Sequence, residues 1–326
     1  MSNLASDLLE DPRAQLPTIY RLKFHGNGGS FFLIFLKNIF LTMITFGIYL
    51  AWAKTERRQY VWNNTSFHDQ PFLYTGTGME LFKGYMVVSA AYMAFVGIPA
   101  LLETISPTAS EVAVLVMAVG LLFAAPHLIY RSRAFLYNRT IWRSIRFGLI
   151  PDSSDYAKTF IKGVIFSFLT LGLYSPVMSN QLYKIMTDNT RFGSLEFHYD
   201  GSDRVVFWMG VKAVFFSLLT GGLYYFWYKA KLTRYRMAHT RAGESAILAS
   251  EISGGDLFLL YILSTFGVML TLGLAFPWIT MYALRLIAER TRAEGMIDFD
   301  AIEQRSRDAG ATADGFADML DLDLGI

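Results

Sequence analysis

The chain has 326 residues, 53% of them hydrophobic and only 17% charged. Soluble domains carry about 25% charged residues, so this composition points to a bilayer rather than to a large water-soluble core. No cysteine is present, which excludes disulfides, thiolate metal sites and a cysteine nucleophile. The net charge of +2 hides a division: residues 293–326 hold nine acids and two bases, leaving the preceding 292 residues at +9. Body and tail therefore face different surroundings.

Residues 1–22 carry Pro12 and Pro17 with mixed charge and read as a flexible arm. They lack a basic stretch followed by an apolar one, so a cleaved signal peptide is not expected. FHGNGGS at 24–30 then leads into the first apolar run. It is not a phosphate loop, because no Lys-Ser/Thr follows. Glycine-containing turns stand at similar places before other apolar runs, at 74–78, 199–202 and 252–255, and read as one repeated turn.

The apolar segments cover roughly 31–53, 84–102, 111–130, 159–178, 205–228 and 257–280. Each approaches the ~20 residues that cross a bilayer as a helix. Trp and Tyr gather at their ends, as in an interfacial belt. A basic stretch follows most segments, and short alternating pieces follow those. RFGSLEFHY at 191–199 reads as a small hairpin. Thr65–Tyr74, Thr140–Phe147 and Met296–Phe299 read as its relatives.

Superposing these stretches reveals a repeat. Ala51, Pro126, Pro176, Phe226 and Pro277 take equivalent positions, in steps of 75, 50, 50 and 51 residues. Thr45, Thr170, Thr220 and Thr271 lie six before. The motif glycines Gly47, Gly172, Gly222 and Gly273 lie four before, and Tyr49, Tyr174 and Tyr224 two before. Fourteen after, all five copies have threonine. A fixed period of this kind marks one duplicated supersecondary unit.

The expected fold is an all-α integral membrane protein. It has about six hydrophobic helical segments in five quasi-repeats of ~50 residues, with short surface β-hairpins. The expected domains are the arm 1–22, a repeated membrane domain 23–298 and an acidic tail 299–326. Units three to five hold one apolar segment each. If each crosses once, successive basic stretches alternate sides, against the positive-inside rule. The alternative is that these segments dip in and turn back at the Thr-x-Gly motif.

Lys37, Lys162 and Lys212 lie 14 residues before their anchors, within or near apolar segments. Such lysines either snorkel to an interface or line a path for an anion. Arg57, Arg58, Arg234 and Arg236 are candidates for holding a phospholipid phosphate. No two histidines stand at metal-binding spacing, no nucleophile motif appears, and no cofactor is expected.

The FHGNGGS run, the Thr-x-Gly-Ile/Leu-Tyr turns and NTRFGSLEF at 189–197 followed by Tyr199-Asp200-Gly201 resemble the YjgN-like family over roughly residues 23–298. That family comprises bacterial inner-membrane proteins classed as a domain of unknown function. The resemblance implies a multi-pass protein of the bacterial cytoplasmic membrane and supplies no catalytic residues. The expected function is non-enzymatic: a channel or carrier for a small anionic solute, with a lipid-binding or scaffolding module as the alternative. Expected partners are anionic lipids, a second copy of the chain and a protein docking on the acidic tail, with no nucleic acid.

Overall fold

Four of the six apolar segments are broken in their middle by one and the same turn. The computed structural model, which describes residues 18–302, places helix α1 (Gly28–Ile44) before α2 (Leu50–Asn63). Likewise α5 (Ser154–Leu169) turns into α6 (Ser175–Asp188), and α7 (Asp203–Leu219) into α8 (Tyr224–Ala238). Helix α9 (Gly254–Leu270), π-helical over Leu263–Gly267, turns into α10 (Phe276–Glu289).

At each break the motif threonine acts twice. The hydroxyls of Thr45, Thr170, Thr220 and Thr271 donate to the carbonyl four residues back, at 2.6–2.7 Å. They also accept from the backbone N–H four residues ahead, at 2.9–3.0 Å. The glycine two residues on takes φ +91 or +92°, and the residue before it also has positive φ. Its N–H donates to the carbonyl five residues back, as in Gly172 to Ser167 at 2.7 Å. This is a left-handed helix stop. Around Gly172 the space is open, so the backbone angle alone demands glycine there.

The second unit lacks that turn. Its helices α3 (Gly78–Glu103) and α4 (Pro107–Asn138) run for 26 and 32 residues, joined where Ser106 caps α4 and Pro107 opens it. Among the described residues, only these two are long and apolar enough to cross a membrane. The expected six spanning helices are thereby corrected. A run of 20 or more apolar residues is one spanning helix only if nothing within it terminates a helix, and Thr-x-Gly does.

The all-α assignment is corrected too. The short alternating pieces join into one antiparallel sheet of eleven strands. They are β1 (Ile19–Phe24), β2 (Thr65–Phe67), β3 (Gln70–Pro71), β4 (Leu73–Tyr74), β5 (Thr140–Trp142), β6 (Ile145–Leu149), β7 (Thr190–Phe192), β8 (Leu195–Tyr199), β9 (Thr240–Ala242), β10 (Ala246–Ser250) and β11 (Thr291–Glu294). Their order is β3-β2-β1-β11-β10-β9-β8-β7-β6-β5-β4. The two ends, β3 and β4, are halves of one segment separated by Phe72. That segment pairs with β2 through Pro71 and with β5 through Leu73, so the sheet closes nearly into a barrel. Closure satisfies backbone groups that short edge strands would leave open. Strand β1 begins inside the stretch read as an arm; residues 1–17 and most of the tail, 303–326, lie outside the described residues.

Each helical pair links two neighbouring strands, as α7 and α8 link β8 to β9. All five pairs therefore leave one rim of the barrel, and the β-turns lie at the other. Around that rim α2 packs on α3, α4 on α5, α6 on α7, α8 on α9 and α10 on α1, closing a ring. Helix α1 turns one face inward, burying Phe31 and Asn38, with Phe32 against Trp278 and Phe35 against Phe276 of α10. Its other face, with Leu33, Phe40 and Met43, is exposed.

Candidate functional site

Along the axis from barrel to helix tips the chemistry changes in steps. The tips are apolar and bare: Phe46 and Leu171 are 95% exposed and Leu272 93%. Exposed apolar patches of this kind mark surfaces made for another apolar phase. Lys37, Lys162 and Lys212 come next below the tips. Each stands seven residues before the last residue of its helix, Ile44, Leu169 or Leu219. Seven residues of helix rise about 10 Å. With the turn added, the tips extend roughly to the middle of a ~30 Å hydrocarbon core when the lysines sit at headgroup level.

The long pair keeps the same plane. Lys83 and Glu103 are 20 residues apart on α3, and Glu111 and Arg131 are 20 apart on α4. Twenty residues rise about 30 Å, the full core. Cations thus bracket the barrel side, and Glu103 and Glu111 the far side. With hairpins that turn back, every basic stretch falls on one face, which removes the conflict with the positive-inside rule.

The three lysines do not converge. Lys37 is ion-paired with Glu56 of α2. Lys162 lies exposed over the ring of Phe166, 6.0 Å from its centroid, and Lys212 is exposed on α7. Of the arginines, Arg57 is half-buried on α2 and Arg234 is exposed. Arg58 donates to the Tyr74 hydroxyl at 3.3 Å and lies over its ring. The motif tyrosines pack locally: Tyr174 on Phe166, Tyr224 on Phe216 and Tyr49 on Trp52.

Arg236 differs from the rest. It leans from α8 onto α6, with its guanidinium carbon 4.8 Å from the centre of the Tyr183 ring and Nη2 donating to the Ser179 hydroxyl at 2.8 Å. Its Nε is buried without a hydrogen-bond partner, and among the described residues only tyrosine hydroxyls, no carboxylate, act on its charge. Burial pulls its pKa below the ordinary arginine value, opposed by the nearby Tyr199, Tyr183 and Tyr228 hydroxyls. It stays charged, since arginine does not deprotonate in proteins. A half-buried cation without a counter-charge costs free energy and is open to an anion in the fork geometry that suits phosphate.

The acids nearby are already engaged. Asp203 accepts from Asn180 and Gln181, both at 2.8 Å, and Asn180 in turn accepts from the Tyr199 hydroxyl at 2.7 Å. Burial raises the Tyr199 pKa, so this hydroxyl remains a donor. Sequence reasoning named Arg236 but missed Ser179, Tyr183, Asn180 and Tyr199. Its only local signal was the Tyr-x-Gly sequence at 199–201, where Gly201 makes room for the Tyr199 ring. Asn64, Asn189, His239 and Arg290, each one residue before a repeated threonine, are the C-caps of α2, α6, α8 and α10. No group of three or more metal-ligating side chains occurs among the described residues.

A family model described as a bacterial protein of unknown function (DUF898) matches residues 19–226 and 209–319. The inner membrane protein YjgN of Salmonella typhimurium is 42% identical over 74 residues, covering 23% of this chain and 19% of that protein. The protein of the same name from Escherichia coli K12 is 38% identical over 105 residues, 31% of this chain and 25% of the relative. The chain thus aligns with a quarter or less of the length of these relatives. No solved structure matches.

Proposed function

The chain belongs to the DUF898 family of bacterial proteins of unknown function, and from that premise we propose that it is an inner-membrane protein that enters the bilayer from one face and binds anionic lipid there. Four helical hairpins dip to the bilayer centre, α3 and α4 cross it, and the barrel stands on the cytoplasmic side. The observation that carries this reading is the stack of bare apolar tips beyond a level tier of cations. The inner-membrane names of the relatives support the location. Arg236 supports the lipid: its unmet charge lies on the side of the tier where phosphates lie, and it has a hydroxyl and an aromatic face beside it.

The same geometry gives little to an anion conduit. Lys37 is paired, Lys162 and Lys212 lie on exposed flanks of separate helices, and the barrel interior is apolar.

The absence of cysteine allows a direct test. Single cysteines at Thr104, Leu171 and Ser194 report the long turn, a short tip and a barrel turn. With an impermeant maleimide on intact cells, Thr104→Cys is expected to react and Ser194→Cys to react only after permeabilisation. Leu171→Cys should resist labelling from both sides. External labelling of Leu171→Cys would refute the dipping hairpins. For the lipid, Arg236→Gln should reduce copurifying anionic phospholipid, whereas Arg234→Gln, exposed on the same helix, should not.

A further inference from the structure

The barrel is not filled. Inside it lies a cavity of about 280 Å³ whose wall presents no polar surface. Seven aromatic side chains line it: Phe67, Phe72, Trp142, Phe147, Phe192, Phe197 and Phe299. The one polar edge among them is spent elsewhere, since the Trp142 indole N–H donates to the carbonyls of Phe67 and Gln70 at 3.2 and 3.1 Å. The Arg292 head is likewise turned to Glu251 and Glu294. Met237, near the end of α8, lines the cavity as well. A dry apolar cavity of ~150 Å³ already takes up benzene, and ligand pockets begin near ~300 Å³.

The stretch after β11 crosses this space. Ile297 and Phe299 line the cavity. The Phe299 ring meets Trp142 edge-on at 5.1 Å and Tyr20 at 5.2 Å. The stretch belongs to no strand of the sheet. The Ser245 hydroxyl donates to the Met296 carbonyl, and Arg143 pairs with Asp300 at 2.7 Å, where Asp300 is largely exposed. An exposed pair of this kind holds weakly. The stretch is thus seated mainly by its own two apolar side chains, which any apolar guest could replace.

We infer that the barrel interior is a binding site for a small, uncharged, hydrocarbon-like molecule, and that residues 296–300 form the stopper over it. A charged or strongly polar guest is excluded by a wall with nothing to pair with it. The aromatic lining favours flat or chain-like apolar guests through stacking and dispersion. This site is separate from the lipid contact at Arg236, and either can fail without the other.

Naphthalene is a suitable probe. The full chain in nanodiscs is melted with and without saturating naphthalene, because a guest that binds only the folded state raises Tm. The wild type should gain several degrees. Phe299→Ala, which frees the mouth, should bind severalfold more tightly and gain more. Ala242→Phe, which places a ring from β9 into the cavity, should gain nothing. Equal shifts in all three, as from partition into lipid, would overturn the site, as would no shift in wild type and Phe299→Ala. If Ala242→Phe fails to fold, the comparison of Phe299→Ala with wild type decides by itself. A wild-type gain that Phe299→Ala does not exceed would refute the stopper.

Discussion

The hairpin α3–α4 and the four shorter hairpins take equivalent places in the ring, yet among the described residues only the helices of the first are long and apolar enough to cross a membrane. Length is the lesser part of the difference. The four short units carry a threonine whose hydroxyl stands in for a backbone partner and a glycine that accepts φ near +91°. Together they reverse the chain between two apolar helices while the threonine meets a C=O and an N–H at the break. Backbone inside hydrocarbon has no water to turn to, so a reversal there needs its own hydrogen-bond partners. The long unit reverses only after the 26 residues of α3, at Thr104 and Ser106, where the Ser106 hydroxyl caps α4.

That contrast can be broken at several points. The largest effect is expected from Leu121→Arg, near the middle of the uncharged stretch of α4. A central arginine costs about 2.5–3.5 kcal/mol on insertion scales. External labelling of a Thr104→Cys reporter should fall sharply in that background.

A second test removes the stand-in hydroxyl. Thr170→Val leaves the Tyr174 N–H without its 3.0 Å acceptor. An unmet buried donor costs about 1–3 kcal/mol, read as a lower midpoint in denaturant titrations of the detergent-solubilised protein. At the long hairpin's turn Thr104 only donates, to the Leu101 carbonyl at 2.7 Å, so Thr104→Val should cost less.

The third comparison uses glycine in both settings. Gly172→Ala forces a side chain into left-handed backbone at about 1–2 kcal/mol. Gly97→Ala lies within helix α3 with open space around it. There alanine should stabilise by about 0.5–1 kcal/mol. Opposite signs in one unfolding assay would sharpen the distinction; equal signs would abolish it. The smallest effect is expected from Lys37→Gln, whose pair with Glu56 is partly exposed and contributes about 1 kcal/mol or less.

Much of this was legible in the residues and some of it was not. The recurring Thr-x-Gly motif and the hairpin at 191–199 are local, and local chemistry dictates them. The crossing count was misjudged because hydropathy averages over a segment. Leu171 and Leu173 raise that average as much as spanning residues do, although Gly172 between them ends the helix. The hairpin read at 296–299 is a strap across the barrel instead, drawn there by Ile297 and Phe299. Arg236 could be named from its place in a basic stretch. That it lacks a counter-charge follows only from α6 lying against α8.

The sequence alone determined where apolar and basic stretches alternate and where the Thr-x-Gly motif recurs, because those follow from single residues and their immediate neighbours. Tertiary structure decided the barrel. Strands of two to six residues have no stability by themselves. They become a sheet only when β1 meets β11 from the opposite end of the chain and Gln70–Tyr74 pairs on both sides. Closure, and with it the enclosed aromatic space, is a property of all five units together.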